Sequence, residues 1–569
     1  MASPQKNAIV AEKFSGAKLL LDCLAKQDVE IIFGYPGGAV LPLYDALYHA
    51  NIPNILTRHE QGAVHAAQGY AKSTGKPGVV IVTSGPGATN VVTGIADAMS
   101  DSVPLVVITG QVVTEGIGKD AFQEADILGI TLPITKNNYQ VRNVHDLPKI
   151  LNEAFHIATT GRKGPVVIDL PKDMTVYQAS VPPAREICLE SYHPNTQPSP
   201  IQIKHLLEKL AEAKRPVILA GGGVMAAQAA AELTDFAEKY QIPTVASLLG
   251  LGVVSSDHDL FLGMAGMHGS YAANMALVDC DLLINIGCRF SDRLATSPTS
   301  FAQDTTVVHV DIDPAEIGKI IPTAIPIVAD AKQTLLAMLN KEIVTKDTTE
   351  WQALCQKRKQ EKPFTYNRQD NSEIKPQKVI ELVGDLTKGN AIVATDVGQH
   401  QMWVAQYYPF KFANQLITSG GLGTMGYGIP AGIGAKFGNP SKQIVVFVGD
   451  GGFQMTNQEL AILNEHQLDI KFILLNNSSL GMVRQWQEVF FDNRRSQSVF
   501  KHSPDFVMLA KAYGIEADRI SNPKTMEADF TAAFNKPGPG LIEVIVSPTE
   551  HVLPMIPPGN ANDQMIGVD

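Results

Sequence analysis

Short apolar runs recur along the chain, each bounded by glycine, proline or polar residues. They occupy residues 78–83, 104–109, 164–170, 215–221, 281–287, 305–312, 390–396, 443–451, 469–477 and 540–546. Unbroken runs of this length predict strands that are buried on both faces of a parallel sheet. Helical patterns separate the runs, for example at 199–215 and 226–240. This alternation predicts an α/β fold built from doubly wound parallel sheets.

Two polar stretches interrupt the alternation. The stretch 191–200 is rich in proline and polar residues, and the stretch 344–376 is charged with little strand character. Both are typical of linkers, and they leave domains of ordinary size between them. We therefore predict three α/β domains followed by a C-terminal tail. Their predicted bounds are 1–190, 199–343, 372–550 and, for the tail, 551–569.

Composition narrows the class of protein. A chain of 569 residues is too long for one core, and its net charge of −11 argues against a nucleic-acid partner. There is no signal-peptide pattern at the start and no run of about 18 apolar residues, so we expect a cytoplasmic protein without a membrane span. The cysteines are scattered, without CxxC or metal spacing, and read as structural thiols of a reducing compartment. They are Cys23, Cys188, Cys280, Cys288 and Cys355.

The segment 449–481 carries the most specific chemical pattern. A predicted strand ends in Gly449-Asp450-Gly451, and the next predicted strand ends in Asn476-Asn477. A carboxylate, an amide oxygen and a backbone carbonyl suit a hard cation such as Mg²⁺, and the glycines let the backbone approach a diphosphate. A similar strand-to-glycine turn occurs at 79–90 in the first domain. Since ligands of open α/β sheets bind beyond the carboxyl ends of strands, the two edges could share one ligand.

The motifs together resemble one enzyme family. They are FGYPGGAVLPLYDAL (33–47), RHEQGA (58–63), TSGPGATN (83–90), GKDAFQEAD (118–126), DLPKD (169–173), TSGGLGTMGYG (418–428) and LGMVRQWQ (480–487). In this order they are similar to the catalytic subunit of acetohydroxyacid synthase, also called acetolactate synthase, a thiamine diphosphate-dependent family. The resemblance implies three domains of the thiamine diphosphate-enzyme type. It implies decarboxylation of pyruvate and ligation of the hydroxyethyl carbanion to a second 2-ketoacid, giving 2-acetolactate or 2-aceto-2-hydroxybutyrate.

The resemblance also assigns expected catalytic roles. Glu60 would hydrogen-bond the pyrimidine ring of the cofactor and drive loss of the thiazolium C2 proton. Trp486 would favour 2-ketobutyrate over pyruvate as second substrate, because the extra methyl can pack on the indole. The remaining expected residues of the reaction centre and substrate channel are Gly38, Gln123, Lys172 and Met482. A solvated helix-start acid, a core aromatic, a plain turn glycine and an exposed lysine stay open as alternatives for Glu60, Trp486, Gly38 and Lys172 respectively.

A larger set is expected to hold thiamine diphosphate and its metal. Asp450, Asn477 and the carbonyl of Ser479 would ligate Mg²⁺. The other expected cofactor-binding residues are Glu60, Val397, Gly398, Gln399, His400, Gly423, Met425, Gly449, Gly451, Gly452, Leu480, Gly481 and Met482. Core packing is the alternative for the two methionines, and an ordinary loop is the alternative for 398–400.

The middle domain resembles the FAD domain of the same family. Three glycines follow a predicted strand and open a helix, a loose pattern for pyrophosphate that also suits a structural turn. The expected FAD-binding residues are Arg162 from the first domain with Gly221, Gly222, Gly223, His268, Gly287, Arg289, Arg293, Asp311, Ile312 and Asp330. This chain departs from the family at one position of that set of loops. The family usually has the sequence RFDDR, whereas residues 289–293 of this chain are RFSDR, with Ser291 in the third place. The substitution loses a charge and keeps a hydrogen-bonding group.

Other readings and partners complete the expectations. A flavin-linked pyruvate oxidase, a decarboxylase that releases acetaldehyde, and a non-catalytic scaffold are the competing functions, and the reaction product distinguishes them. The resemblance implies a homodimer or homotetramer and a possible small regulatory subunit. For the tail at 551–569, a cap over the active site and disorder are both open.

Overall fold

The structure, a computed structural model, describes residues 13–180, 187 and 189–568. Cys188 lies outside the described residues. The described chain divides into two compact units. One comprises the residues up to Ala71 together with Lys76–His193, and the other comprises Lys72–Gly75 together with the chain from Pro194 onward.

The first unit is built on one parallel sheet and a short antiparallel ribbon. Its strands are β1 (Lys13–Ser15), β2 (Ile32–Tyr35), β3 (Asn54–Leu56), β4 (Gly78–Val82), β5 (Leu105–Gln111), β6 (Asn137–Gln140), β7 (Pro165–Pro171) and β8 (Gln178–Ser180). The parallel sheet has the order β3-β2-β4-β5-β7-β6, and β1 pairs with β8. All residues of β4, β5 and β7 are buried, as expected for strands covered on both faces.

Helices connect these strands. They are α1 (Gly16–Lys26), α2 (Leu41–Tyr48), α3 (Glu60–Thr74), α4 (Pro86–Asn90), α5 (Val92–Asp101), α6 (Ile127–Thr131), α7 (Leu147–Thr159) and α8 (Lys172–Val176). Short 3₁₀ turns lie at Thr114–Gly116, Leu132–Ile134 and Val144–Asp146. The first helix starts where the Ser15 side chain accepts a hydrogen bond from the Lys18 amide, a standard N-cap.

The second unit contains the two other parallel sheets of the described chain. The middle sheet has strands β9 (Pro216–Ala220), β10 (Thr244–Ala246), β11 (Phe261–Met264), β12 (Leu282–Ile286), β13 (Thr306–Asp311) and β14 (Ile325–Val328). Its order is β11-β10-β9-β12-β13-β14, which is the 3-2-1-4-5-6 order of dinucleotide-binding sheets. The chain reverses direction across the sheet between β9 and β12, so a crevice for a ligand is expected beyond those two strands.

The third sheet repeats the topology of the first. Its strands are β15 (Ile392–Thr395), β16 (Leu416–Ile417), β17 (Ile444–Gly449), β18 (Ile470–Asn476), β19 (Glu516–Ile520) and β20 (Gly540–Ile545). The order β16-β15-β17-β18-β20-β19 matches the order of the first sheet strand for strand. In both sheets the reversal falls between the first and third strands of the set, here β15 and β17.

Helices of the second unit surround these sheets. With the middle sheet go α9 (Pro200–Glu212), α10 (Gly222–Ala226), α11 (Ala230–Tyr240), α12 (Tyr271–Asp279), α13 (Ala331–Leu339) and α14 (Thr349–Glu361). With the third sheet go α15 (Pro376–Thr387), α16 (Gln399–Tyr407), α17 (Gly428–Gly438), α18 (Asp450–Thr456), α19 (Ala461–Glu465), α20 (Gly481–Phe490), α21 (Phe506–Ala512) and α22 (Met526–Phe534). 3₁₀ turns lie at Leu248–Gly250 and Asn457–Leu460. One continuous cluster of buried side chains includes residues of both sheets.

The fold class predicted from the sequence is confirmed, with two local differences. The helix predicted over 226–240 begins only at Ala230, after Gln228 adopts a positive φ of 52°. The charged stretch 344–376 contains α14, whose Trp351 is buried and donates from Nε1 to the Pro216 carbonyl at 3.1 Å. Trp351 and Cys355 are the buried residues of this charged helix, and they pack it against the middle domain.

The described tail residues pack against the second unit. Val552, Met555 and Ile556 are buried, and the Ile556 amide donates to the Met267 carbonyl at 2.8 Å. Asn562 donates from Nδ2 to the Leu294 carbonyl at 3.1 Å. These contacts fit a docked segment rather than a disordered one. None of the helices in the described parts of the chain has the length and apolar character needed to cross a membrane.

Candidate active site

Asp450 is the first residue of α18 and follows β17 directly. It is buried, and its Oδ1 accepts from the Gly451 amide at 3.0 Å. Its Oδ2 is buried without a hydrogen-bond partner. Burial raises the pKa of Asp450 to about 7, although amides of residues 450, 451, 478 and 479 act in the opposite sense. A buried carboxylate oxygen without a partner is the group that a bound cation would satisfy.

Asn477 follows the neighbouring strand β18 and is also buried. Its Oδ1 accepts from the Ser479 amide at 3.2 Å and from Ser479 Oγ at 3.0 Å. Within the described residues, no group of three or more His, Cys, Asp or Glu side chains could hold a metal ion. A site at Asp450 and Asn477 would therefore need backbone carbonyl, phosphate or water oxygens, which is how Mg²⁺ is commonly held with phosphates. The donor set fits that ion.

Two apolar side chains lie beside this acidic end of the sheet. A Cβ added at Gly451 would come 2.8 Å from Leu480 Cδ2 and 3.5 Å from Met425 Cε. Both side chains are half-buried, so they line the opening without filling the core. Glycine at 451 thus keeps the start of α18 close to these two groups.

The start of α16 brings further polar groups next to the end of β17. His400 is buried, its Nε2 has no hydrogen-bond partner, and burial lowers its pKa to about 4. A Cβ added at Gly449 would lie 3.1 Å from His400 Nδ1, so the strand end and the imidazole are in contact. Gln399 is different, because its side-chain amide is fully engaged with other protein groups. Its backbone N–H remains the part of Gln399 that could meet a phosphate.

Asp396 is a residue that the sequence analysis missed. It is fully buried and accepts from the amides of Val397 at 2.8 Å, Gly426 at 3.0 Å and Gly428 at 2.9 Å. Burial raises the pKa of Asp396 to about 6. A Cβ at Gly452 would overlap with the Asp396 carboxylate. Asp396 therefore joins three predicted cofactor loops, and the sequence signal for it was an acid at the end of the apolar run 390–396, directly after β15.

The remaining predicted glycines and Val397 lie on these same loops. Gly398 and Gly423 have positive φ values of 152° and 71°, which side chains rarely adopt. A Cβ at Gly481 would overlap with the Gln399 side chain at the start of α20. The structure thus brings together the predicted residues of 397–400, 423–425, 449–452 and 477–482 at the reversal point of the third sheet.

The helix α20 carries two further predicted residues, Met482 and Trp486. Met482 is half-buried and packs against the shared core. Trp486 is half-buried and makes an edge contact with Phe490, with ring centroids 5.5 Å apart. The Arg293 Cζ lies 5.7 Å from the Trp486 ring centroid. Arg293, predicted to bind the flavin, and Trp486, predicted to set specificity, are thus neighbours.

Glu60 opens α3 in the first unit and is almost fully buried. Its Oε2 accepts from Asn90 Nδ2 at 2.9 Å. A Cβ added at Gly87 would lie 3.4 Å from Glu60 Oε1, so the TSGPGATN turn packs against the carboxylate. Asn90, the last residue of that motif, was missed as a site residue. It holds the carboxylate in one orientation.

Gly38 and Gln123 lie on loops that meet the same turn. A Cβ at Gly37 would lie 2.5 Å from Thr83 Oγ1, whereas one at Gly38 would meet no atom within 4 Å. Gln123 has a positive φ of 62°, and its Cα would be 3.0 Å from a Cβ at Gly85. A non-glycine residue in this conformation is strained, and the close glycine is what makes room for it.

Lys172 and Arg162 lie at opposite ends of β7 in the first unit. Lys172 is half-buried at the start of α8, directly after β7, while the neighbouring Asp173 accepts from the Thr114 amide at 3.0 Å. Arg162 donates from Nε to Ser102 Oγ at 3.0 Å and from Nη2 to the Met99 carbonyl at 3.3 Å. Lys172 therefore shares the carboxyl edge of the sheet with the loops around Glu60 and Gly38.

The glycines of the middle sheet serve the packing of two strand ends. The Gly221 amide donates to the Ile286 carbonyl at 3.0 Å, and the Gly223 amide donates to the Gly287 carbonyl at 2.9 Å. A Cβ at Gly223 would lie 2.6 Å from the Gly287 Cα. Gly222 is less constrained, since its Cβ would come 3.3 Å from Leu249 Cβ. These loops lie at the reversal point between β9 and β12, where a dinucleotide is expected.

Two polar groups border that crevice. His268 is buried, its Nδ1 has no hydrogen-bond partner, and burial lowers its pKa to about 4. Asp311 ends β13 and accepts at Oδ1 from the Asp313 amide at 2.9 Å. A buried unpartnered imidazole nitrogen and a carboxylate at a strand end are compatible with a dinucleotide, so the residues present fit FAD.

The other predicted flavin residues are spread around the same domain. Ile312 and Arg289 are half-buried next to Asp311 and Gly287 in the sequence. Asp330 accepts from the Gln333 amide at 3.0 Å and serves as the N-cap of α13. Ser291 is exposed, and its carbonyl accepts from the amides of Leu294 and Ala295. The turn at 291–295 therefore depends on the Ser291 backbone.

Comparison with known proteins matches three parts of the chain to models of one group of enzymes. Three family models match, described as thiamine pyrophosphate enzyme N-terminal TPP binding domain at residues 14–130, central domain at 203–338, and C-terminal TPP binding domain at 396–544. Sheet topology, acidic strand ends and these matches define a thiamine diphosphate enzyme.

Relatives along the whole chain identify the family. The acetolactate synthase large subunit of Lactococcus lactis subsp. lactis is 57% identical over 97% of this chain and 96% of its own length. The acetolactate synthase large subunit of Haemophilus influenzae is 45% identical over 98% of both chains. The acetolactate synthase isozyme 2 large subunit of Escherichia coli is 42% identical over 97% of this chain and 99% of its own. The chain belongs to the acetolactate synthase large-subunit family.

Proposed function

We propose that the protein joins two 2-ketoacids with loss of CO₂, giving 2-acetolactate from two pyruvates or 2-aceto-2-hydroxybutyrate from pyruvate and 2-ketobutyrate. Thiamine diphosphate, when bound, supplies a nucleophilic carbon for the ketone of pyruvate and accepts the electron pair released with CO₂. The observation that carries the assignment is the buried Asp450 with an unpartnered oxygen beside Asn477, in a chain of this family.

The metal site would be formed by Asp450 and Asn477 with the carbonyl of Ser479. These groups would hold Mg²⁺, which would neutralise diphosphate oxygens at the end of β17. The backbone at 398–400, with the imidazole of His400 behind it, would face the same phosphates. Met425 and Leu480, which approach Gly451, would give the cofactor apolar contacts.

Glu60 would act as the proton-holding group of the reaction. Its carboxylate is kept in one orientation by Asn90, with little access to water. In that setting it can donate to or accept from a ring nitrogen of the cofactor, which is the role the family resemblance implies for it. Gly38, Gln123 and Lys172 would border the substrate, with the open space at Gly38 leaving room for the reacting groups.

FAD is proposed for the crevice of the middle domain. The 3-2-1-4-5-6 strand order and the unpartnered His268 Nδ1 support a dinucleotide there. The overall reaction balances without oxidation or reduction, because two ketoacids yield one hydroxyketoacid and CO₂. A flavin would therefore stabilise this domain rather than transfer electrons.

Two further proposals concern assembly. We propose a homodimer or homotetramer as the working form, which light scattering on the purified protein tests. We also propose a separate small regulatory subunit, supported by the words "large subunit" in the names of the relatives. Copurification of a second polypeptide from the source cells tests that partner.

The decisive experiment is product analysis. Purified protein receives Mg²⁺, thiamine diphosphate and pyruvate, in parallel samples with and without FAD. Acetolactate without peroxide supports the proposal, and the difference between the samples measures the need for flavin despite Ser291. Acetaldehyde would indicate a decarboxylase, and peroxide would indicate an oxidase. Either result would overturn the proposal.

A further inference from the structure

Gln485 of α20 makes an unusual pair of contacts with the C-terminal tail. Its side chain is fully buried. The Val552 amide donates to Gln485 Oε1 at 2.8 Å, and Gln485 Nε2 donates to the Val552 carbonyl at 3.1 Å. Because a backbone amide can only donate and a carbonyl can only accept, Val552 fixes which end of the Gln485 amide is oxygen.

The orientation of the Gln485 amide in turn fixes the orientation of the Gln399 amide. Its Nε2 donates to Gln485 Oε1 at 2.9 Å and to the Glu550 carbonyl at 2.9 Å. The Glu550 carbonyl is an acceptor only, so it requires the nitrogen end of Gln399 on that side. Gln399 Oε1 is thereby directed towards Asn477.

Asn477 is the last side chain in this series of hydrogen bonds. Its Nδ2 donates to Gln399 Oε1 at 3.2 Å, which turns its Oδ1 to the opposite side. The Ser479 amide, a donor only, meets that oxygen at 3.2 Å from the far end. Backbone groups at both ends of the chain thus agree on one orientation for all three side-chain amides.

The backbone at 550–552, where this series of hydrogen bonds begins, is itself held by several side chains. Glu550 Oε1 lies 2.9 Å from Lys375 Nζ, and Glu550 Oε2 accepts from Gln377 Nε2 at 3.1 Å. Arg484 Nη2 donates to the same Glu550 carbonyl that Gln399 uses, at 2.9 Å. Every one of these partners is buried or nearly so, where lost hydrogen bonds are costly.

From this geometry we infer that Gln485 is a positioning residue for the metal site. Through Gln399 it holds the amide of Asn477 with the oxygen presented as a ligand and the nitrogen turned away. The inference rests on the proposed role of Asn477 in binding Mg²⁺. It makes docking of the backbone at 550–552 a condition for a correctly oriented metal ligand. Partners behind a metal ligand typically change metal affinity by about 10- to 100-fold.

The experiment compares two glutamines that both bind the tail. Gln485→Met removes the hydrogen-bonded relay that runs from Gln485 through Gln399 to Asn477. Gln406→Met is the matched control, because Gln406 Nε2 donates to the carbonyls of His268 at 3.0 Å and Leu553 at 3.4 Å, away from the Gln485–Gln399–Asn477 relay. The apparent Kd of the full-length apoprotein for Mn²⁺, followed by electron paramagnetic resonance in the presence of thiamine diphosphate, is the readout. Limited proteolysis of the tail is measured in parallel.

We expect Gln485→Met to raise the Kd for Mn²⁺ by about tenfold or more, with an unchanged KM for pyruvate at saturating metal and cofactor. Gln406→Met should loosen the tail and leave the Kd within about twofold. Equal Kd increases in both variants, or an unchanged Kd in Gln485→Met, would overturn the inference. If Gln485→Met does not fold, Gln485→Asn decides. Its amide is one methylene shorter and cannot reach Val552 and Gln399 together, so the same rise in Kd is expected and an unchanged Kd would overturn the inference.

Asn477→Ala separates this inference from the proposed function. If Asn477→Ala binds Mn²⁺ as the wild type does, Asn477 is not a metal ligand, and both the proposed metal site and the inference about Gln485 are wrong. If Asn477→Ala loses Mn²⁺ while Gln485→Met retains normal affinity, the metal site stands and only the relay is refuted.

Discussion

The guanidinium of Arg293 lies over the indole of Trp486, with Cζ 5.7 Å from the ring centroid. Arg293 comes from the loop between β12 and β13 of the middle sheet, and Trp486 comes from α20, the helix that follows β18. Arg293 also pairs with Asp292 at 3.2 Å and remains largely exposed. A cation–π contact of this exposed kind contributes roughly 0.5–1 kcal/mol. It links the predicted flavin residues to the predicted specificity residue.

Trp486→Leu should lower the preference for 2-ketobutyrate over pyruvate by about tenfold, because the indole surface that packs against the extra methyl is lost. The measurement is the ratio of the two acetohydroxyacids formed when both ketoacids compete. Phe490→Leu, which changes an aromatic neighbour on the same helix, is the control. An unchanged product ratio in Trp486→Leu would contradict the role of this residue.

Arg293→Gln should shift the same ratio in the same direction by about two- to fivefold, since it replaces the charge above the indole by a shorter, neutral amide. The competition assay used for Trp486 measures it. In the Trp486→Leu background the second substitution should have no further effect on the ratio. Additive effects of the two changes would show that Arg293 acts independently of Trp486.

Glu60→Gln should reduce kcat by about 100-fold or more while thiamine diphosphate still binds. The amide oxygen can accept from Asn90 as the carboxylate does, but glutamine cannot hold the proton. Turnover is measured at saturating cofactor, and binding is measured by calorimetry. Glu30→Gln, an exposed acid of the same unit, is the control. Near-normal turnover in Glu60→Gln would refute the proton role.

Ser479→Ala should bind Mg²⁺ as well as the wild type or a few-fold better. The Ser479 hydroxyl donates to Asn477 Oδ1 and competes with a cation for that oxygen, whereas the Ser479 carbonyl is retained in alanine. Calorimetric titration of Mg²⁺ in the presence of thiamine diphosphate measures this. A large loss of affinity would mean that the hydroxyl itself is needed at the site.

Asp169→Asn should change how stability depends on pH. Asp169 is fully buried, and burial raises its pKa to about 6 against the hydrogen bonds from Gln140, Gln111 and Thr109. Because the folded-state pKa lies above the unfolded value, the folded protein gains from the protonated acid at low pH. That gain is lost as pH rises through about 6, and it amounts to roughly 3 kcal/mol.

The variant has no proton to lose at this position, and its amide can still face the same three partners. The melting temperature of Asp169→Asn relative to wild type should therefore rise between pH 5 and pH 7.5. Thermal scans at both pH values measure the difference. A difference that stays constant with pH would show that Asp169 does not titrate in this range.

The strands found from the sequence are those whose apolar runs are continuous. All the predicted runs became strands, and they include the central ones, such as β4, β5, β17 and β18. The missed strands are short or polar, such as β16 with two residues and β6 with the sequence Asn137–Gln140. Such strands are stabilised by pairing with a longer neighbour, so their own residues carry little pattern.

The candidate site shows a similar limit. Asp450, Asn477 and Glu60 could be predicted because an acid or amide at a strand end, in a known order of motifs, is specific. The contacts of Asp396 and Gln485 could not be predicted, since only the folded chain creates them: Asp396 accepts from three loop amides, and Gln485 binds the tail. Hydrogen-bond partners distant in sequence leave no local signal.

The close approach of Gly221 and Gly223 to the Gly287 loop affects how variants of the middle domain should be interpreted. An added methyl at Gly223 would sit 2.6 Å from the Gly287 Cα, so backbone would have to move. Alanine there would weaken the proposed binding of FAD because the two strand ends separate, whatever the loop contributes to recognition. Screens for flavin-deficient mutants would recover such positions first and overstate their part in binding. Gly222, where the nearest atom to the added carbon is Leu249 Cβ at 3.3 Å, is the position whose phenotype reports on the ligand.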